Sequence, residues 1–197
     1  MQYGKLELVV YSGVYEPAED SFMLAKAARG WRGRILDMGT GCGIAALANA
    51  EAIPGNSVTG VDINTHAIAC ARENARKNNI KNVTFIESNL FENIRETFDA
   101  ILFNPPYLPT APQERVHGPL NDALDGGTDG RKTLDRFLTE APRYLAPGGR
   151  LLFIQSSLNG IGLTEHQLRE RGHRMRIMEE QAFFFEKLYV IKSAQPI

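Results

Sequence analysis

A short apolar run, Arg34–Met38, leads through Asp37-Met38-Gly39-Thr40-Gly41-Cys42-Gly43 into an alanine-rich stretch, Ile44–Ala52. The run is too short for a helix, and glycines clustered behind it serve where a backbone takes positive φ or comes close to a ligand. A strand that enters a helix through such a turn commits the chain to a βα unit. The rest of the pattern continues the alternation: strands near Val58, Val83, Ala100 and Leu151, and helices over 18–28, 65–78 and 134–145, with Pro142 awkward inside the last. Another helix closes at 167–170. A short strand over 6–11 opens the chain, Pro147-Gly148-Gly149 makes the turn into the strand near Leu151, and 173–178 with 184–191 form an antiparallel pair. This order predicts an α/β fold, a mostly parallel sheet covered on both sides.

The glycine turn predicts a ligand. Asp62 follows Gly43 by 19 residues, at the end of the strand over 57–61, where a carboxylate accepts both hydroxyl hydrogens of a ribose. Gly41, Gly43 and Ala46 also satisfy the dinucleotide pattern G-x-G-x-x-G/A, so a nicotinamide cofactor stays open. Asp37 weighs against it, because a carboxylate at the strand end repels a pyrophosphate and attracts an ammonium group. S-adenosylmethionine (SAM) carries an ammonium and a ribose and no phosphate.

A second motif, Asn104-Pro105-Pro106-Tyr107, follows the apolar strand Phe98–Phe103. The Asn104 carboxamide oxygen and the Pro105 carbonyl are two acceptors, and a planar NH2 group offers two donors to match them. The paired prolines restrict φ and bias Asn104 toward extended geometry, so the acceptors are arranged before a guest arrives. Tyr107 adds a ring able to stack on a flat guest. Asn and Pro are also ordinary turn formers, and a loop at a strand end is the competing explanation.

Together the two motifs resemble class I SAM-dependent methyltransferases of the HemK/PrmC type, which methylate the glutamine of the Gly-Gly-Gln loop in peptide release factors. The opening Val14-Tyr15-Glu16-Pro17-Ala18-Glu19-Asp20-Ser21 is similar to the eukaryotic and archaeal branch. Bacterial members carry an N-terminal helical domain, for which a first catalytic strand near Arg34 leaves no room. The resemblance implies a Rossmann-like seven-stranded sheet and assigns Asn104, Pro105 and Tyr107 to catalysis. It places Asp37 and Gly39 at the amino-acid end of SAM, with Gly41 in the same turn, Asp62 at the ribose, and Asn89 and Leu90 at the adenine. Ser21 would lie near the cofactor carboxylate, with Tyr15 and Asp20 closing over it, and for Ser21 and Asp20 helix capping is the competing role. Asn89 departs from the family's frequent Asp, so an amide oxygen must face the adenine amine. Relatives in this branch often pair with a small zinc-containing activator.

Residues 108–130 hold Pro109, Pro112 and Pro119 with Gly118, Gly126, Gly127 and Gly130, and no periodicity. A stretch of that length in a compact domain is usually functional or disordered, and a lid that helps receive the target loop is expected here, with a mobile insertion that makes no substrate contact as the competing explanation. Asp125-Gly126-Gly127-Thr128-Asp129-Gly130 resembles a glycine-rich segment of the family. No repeat or linker divides the 197 residues, so one domain over 1–197 is expected, with 1–30 covering the cofactor.

Composition narrows the functions. With 43% hydrophobic and 23% charged residues the chain is neither disordered nor membranous, and runs such as 151–154 are too short to span a bilayer. No leader is evident, and a cytoplasmic location is expected. Cys42 and Cys70 match no metal spacing; Cys42 reads as a small residue packed in a turn. The net charge of −1 argues against a large duplex-binding face. The densest basic group, Arg169, Arg171, His173, Arg174 and Arg176, is diluted by Glu165, Glu170, Glu179 and Glu180. Methylation of an exocyclic amine in DNA or RNA, which the Asn104 geometry also fits, remains the alternative to glutamine methylation. A non-catalytic SAM-binding module is the third.

Overall fold

The structure, a computed structural model, describes residues 1–109 and 125–196. Its frame is a seven-stranded sheet. Five strands run parallel: β3 (Arg34–Met38), β4 (Ser57–Asp62), β5 (Val83–Glu87), β6 (Phe98–Phe103) and β7 (Leu145–Ser156). The spatial order is β5-β4-β3-β6-β7-β9-β8, with β9 (Lys187–Ala194) antiparallel to both β7 and β8 (Arg174–Ala182). Helices α1 (Glu19–Ala28), α2 (Ile44–Ala52) and α3 (Thr65–Lys77) bury Leu24, Leu47 and Ile68 against Ile35, Val58 and Leu152 on one face. On the other face α4 (Lys132–Glu140) and α5 (Ile161–Glu170) set Phe137 and Leu168 against Phe103, Ile101 and Phe153. Apolar runs in the central strands are explained by this, since both of their faces are covered. The chain order reverses beside β3, so the carboxyl ends of β3 and β6 open a crevice of the kind in which α/β sheets hold ligands.

Several local expectations are corrected. The strand over 6–11 shrinks to β2 (Leu6–Glu7), a hairpin with β1 (Gln2–Tyr3). Beyond it the Asn74 side chain takes the place of a neighbouring strand: it accepts from the Val9 N–H at 2.8 Å and donates to the Val9 carbonyl at 2.9 Å. The helix over 134–145 ends at Glu140, and Ala141–Tyr144 tightens into a 3-10 turn because Pro142 lacks the N–H that an α-helix needs. Residues 147–149 lie within β7 as a local irregularity, where the register with β6 jumps from Phe98↔Leu145 to Ala100↔Arg150. Phe184 and Phe185, placed in a strand by their apolar character, stand instead in the β8–β9 turn, 92% and 84% exposed. The anticipated basic group is split, for His173 is buried and Arg174 and Arg176 belong to β8. Most of the expected lid, at 110–124, lies outside the described residues. Among the described residues no helix is long and apolar enough to cross a membrane.

Candidate active site

At the carboxyl ends of β3, β4 and β6 lies a cavity of about 320 Å³. Its wall includes Tyr15, Asp20, Ser21, Asp37, Gly39, Gly41, Asp62, Asn89, Leu90, Asn104, Pro105 and Tyr107, so the crossover of the chain brings together every candidate site residue.

The glycine turn holds its shape through two carboxylates. Gly39, Gly41 and Gly43 take φ of +61°, +56° and +88°, which any other residue would adopt only with strain. A Cβ at Gly43 would press on Ala71 at 3.1 Å, whereas one at Gly41 would meet nothing within 4 Å. Gly43 therefore serves helix packing, and Gly41 faces open space. Asp62 clamps the turn from the next strand: Oδ2 accepts from Gly41 N–H and Oδ1 from Asn64 N–H, each at 2.9 Å. A carboxylate oxygen accepts more than one hydrogen bond, so this clamp is compatible with holding hydroxyls.

Asp37 is buried beneath the turn. Its Oδ2 accepts from the Thr40 hydroxyl at 2.7 Å and from Ala46 N–H at 3.1 Å. Burial pushes its carboxyl up to about 7; the Thr40 and Ala46 hydrogen bonds oppose that rise, and the nearby negative charge of Asp62 adds to it. A cation placed beside it would restore the ionised form.

The acceptor side is built from the end of β6. Asn104 is half-buried, and its Oδ1 is sealed from solvent without a hydrogen-bond partner among the described residues. Such an orphaned acceptor costs about 1–3 kcal/mol, and folding recovers nothing for it. Pro105 and Pro106 are buried beside it. Gly39 brings the two halves of the site together, since a Cβ there would touch Phe103 at 3.2 Å.

Asp20 ties the N-terminal segment to this motif. Its carboxylate, 3% exposed, accepts from the Tyr107 hydroxyl at 3.1 Å, the Tyr15 hydroxyl at 3.2 Å, Ser21 N–H at 2.6 Å and Ser21 Oγ at 3.1 Å. The cap position of α1 is Ala18 and receives no side-chain bond, so neither Asp20 nor Ser21 caps the helix there. Burial raises the Tyr107 phenol well above its ordinary range, and the Asp20 charge adds to this, so Tyr107 stays a neutral donor.

At the far end Asn89 is engaged on both sides, donating to Glu92 at 2.9 Å and accepting from Arg136 at 3.3 Å. Leu90 takes φ of +49°, rare for a side chain of its size. The buried Ser88 hydroxyl donates to the Leu90 carbonyl at 2.7 Å and accepts from Asn93 N–H at 3.0 Å, which holds this turn.

Sequence reasoning missed the support behind Tyr107. Asn159 Nδ2 donates to the Tyr107 carbonyl at 2.9 Å and to the Asp129 carbonyl at 3.3 Å. The buried Arg131 guanidinium reaches the Asn159 and Gly160 carbonyls, the Thr164 hydroxyl at 3.0 Å and the Asp135 carboxylate at 2.7 Å. Gly126 N–H donates to the Leu108 carbonyl at 3.1 Å, so residues 125–130 lie against the end of the Asn104-Tyr107 motif. No local signal marks Arg131, because its partners Asn159 and Thr164 are 28 and 33 positions away.

Among the described lining residues four are acidic, Asp20, Asp37, Asp62 and Asp125, against two basic ones, Lys132 and Arg136. That charge suits a cationic ligand and disfavours a pyrophosphate.

The chain is similar to known proteins. Residues 18–117 match the family model described as Methyltransferase small domain. A putative protein N5-glutamine methyltransferase of Methanocaldococcus jannaschii is 44% identical over 189 residues, 95% of each chain. A release factor glutamine methyltransferase of Gloeobacter violaceus is 37% identical over 86% of this chain, which spans 63% of that longer relative. Among solved structures, a chain of the E. cuniculi Mtq2-Trm112 complex, described as responsible for methylation of the translation termination factor eRF1, superposes with a TM-score of 0.72. It is 26% identical, with 93% of this chain and 99% of that one covered.

Proposed function

Since the chain belongs to the Methyltransferase small domain family and, within it, to the protein glutamine methyltransferases, we propose that it methylates the side-chain amide nitrogen of a glutamine in the Gly-Gly-Gln loop of a peptide release factor. The observation that carries this reading is Asn104, which lines the cavity and whose sealed Oδ1 has no partner among the described residues. An amide NH2 would supply the missing donor once the side chain turns that oxygen toward the cavity.

SAM is the cofactor, and the residues fit it: an excess of acidic over basic side chains for a cationic ligand, the buried Asp37 carboxylate for its ammonium, and Asp62 for its ribose. The Leu90 turn and Asn89 would flank the adenine, with Gly39 and Gly41 leaving room along the turn. Tyr15, Asp20 and Ser21 would cover the amino-acid end, which gives residues 1–30 their role as a cover within one catalytic domain. Bound there, SAM supplies a methyl group activated by a sulfonium.

Asn104 Oδ1 and the Pro105 carbonyl would accept the two amide hydrogens and turn the nitrogen toward the methyl. An amide nitrogen is a poor nucleophile, its lone pair being delocalised into the carbonyl. Hydrogen bonds from its N–H groups leave more electron density on it. Positioning supplies the larger part, for which about 7–11 kcal/mol is available in a well-oriented pair. Tyr107, held by Asp20 at its hydroxyl and by Asn159 at its carbonyl, would wall the glutamine in.

A small partner subunit is part of the proposal, supported by the E. cuniculi relative's occurrence in a complex with Trm112. The zinc expected of such an activator would be held by the partner. A release factor substrate would also put the reaction in the cytoplasm.

The test is transfer of labelled methyl from SAM to a release factor, to the same factor with the loop glutamine replaced, and to RNA and DNA. Label on the first alone is expected. Label on nucleic acid alone would establish exocyclic-amine methylation instead.

A further inference from the structure

We infer that Phe184 and Phe185, at the tip of the β8–β9 turn, dock the apolar surface that flanks the target loop of the protein substrate. This rests on the release factor reading above and adds the part of the enzyme that recognises the folded protein.

Two adjacent phenylalanines at 92% and 84% exposure forgo nearly all of the transfer free energy that burial would give them. Their rings meet edge to face at 4.6 Å, giving one continuous apolar knob. The turn beneath them is fixed. Phe183 N–H donates to the Glu186 carbonyl at 2.7 Å, the Phe183 ring packs on the core, the Glu186 carboxylate accepts from the Ser156 hydroxyl, and Lys187 N–H donates to Ser157 Oγ at 3.0 Å. A knob on a stiff hairpin loses little entropy on binding.

Its place in the fold joins it to the active site. Strand β8 runs parallel to β7, because both are antiparallel to β9, so the turn after β8 stands at the carboxyl edge of the sheet. Ser156 and Ser157, which hold the turn, lead directly to Asn159, whose amide holds the Tyr107 carbonyl. Leu158 between them is 54% exposed and Leu108, next to Tyr107, is 42% exposed. Exposed apolar side chains thus stand after the carboxyl ends of β6, β7 and β8, on the sheet edge that carries the cavity.

The chemistry of the target requires such a surface. In a Gly-Gly-Gln loop the two glycines offer no side chain, and the glutamine is committed to the cavity. Affinity for the protein must come from contacts beside the loop, and aromatic anchors commonly supply it.

The test compares the full chain with its Phe184→Ser/Phe185→Ser double variant on an intact release factor and on a short peptide containing only the Gly-Gly-Gln loop. For the intact factor KM and the directly measured Kd are expected to rise by about tenfold or more, the effect of losing one or two anchors, with kcat held within about twofold. Peptide kinetics and the melting temperature are expected to stay unchanged, which rules out misfolding and a damaged cavity. An unaltered KM and Kd for the intact factor overturns the inference, and so does an equal loss on the peptide. A change in self-association, or in binding of the small partner subunit, with factor binding intact overturns it too. Should the unmodified enzyme label neither factor nor peptide, the release factor reading itself falls and takes the inference with it. That outcome is distinct from an active enzyme indifferent to the double substitution.

Discussion

If Asp37 receives the ligand ammonium, as proposed, cofactor binding is a proton-linked event with a definite sign. Its carboxyl is pushed up to about 7 by burial, and pairing with a ligand ammonium requires the ionised form. At pH 5 about 1% of the empty protein is ionised at this site and at pH 7 about half, so affinity should rise about fifty-fold, roughly 2.3 kcal/mol, across that window. Titration calorimetry of S-adenosylhomocysteine, which keeps the ammonium, reads this directly. In buffers of different ionisation enthalpy, about one proton should be released per ligand bound near pH 6. The empty protein should move the opposite way. Its folded state holds the Asp37 proton over a range where the unfolded chain, near 3.8, has lost it. That contribution to stability is full below the unfolded value and disappears as pH rises through about 7. Asp37→Asn should flatten both profiles. A flat affinity profile in the unmodified protein, or a slope surviving in Asp37→Asn, would refute the pairing of Asp37 with the ammonium.

Asn104→Ala should reduce kcat by about a thousandfold or more, the scale of losing a positioned polar group in the transition state. Cofactor Kd should stay within about twofold, and because the buried oxygen is unpaired, thermal melting should show no loss of stability. Asp62→Ala should weaken cofactor binding by about tenfold to a hundredfold, the value of one or two charge-assisted hydrogen bonds, read by the same calorimetry. It should also lower the melting temperature, since the Gly41 and Asn64 N–H groups lose their acceptor. Gly130→Ala puts a Cβ against Asn159 Nδ2 and the Tyr107 carbonyl at a φ of +70°. Single-turnover kinetics should show slowed transfer with cofactor affinity preserved, because the collision falls on the acceptor side of the cavity.

Much of this protein was legible from local chemistry. A glycine turn after an apolar strand has few structural solutions, and Arg34–Met38 and Ile44–Ala52 form the strand and helix that their patterns require. Phe98–Phe103 follows for the same reason, as a run buried on both faces. Expectations failed where the deciding partner was remote. Apolar character alone placed Phe184 in a strand, but the turn position comes from hydrogen bonds among Phe183, Glu186 and the end of β7. Pro142 reads as a disturbance in a helix; that the 3-10 turn it produces feeds directly into β7 is visible only where Leu145 pairs with Phe98 across the sheet.

The sequence by itself determined the α/β class, the two motifs and the ligand chemistry their residue types allow, because glycine conformation, proline stiffness and carboxylate charge are local properties. Tertiary structure decided what surrounds those groups. It made Asp37 a near-neutral titrating acid by burying it and, among the described residues, left the Asn104 oxygen without a donor. It joined Asp20 to Tyr107 across 87 positions and backed the motif with Arg131 and Asn159. Burial and hydrogen-bond pairing are relations between distant segments, and only the folded chain brings those segments within a few ångströms of each other.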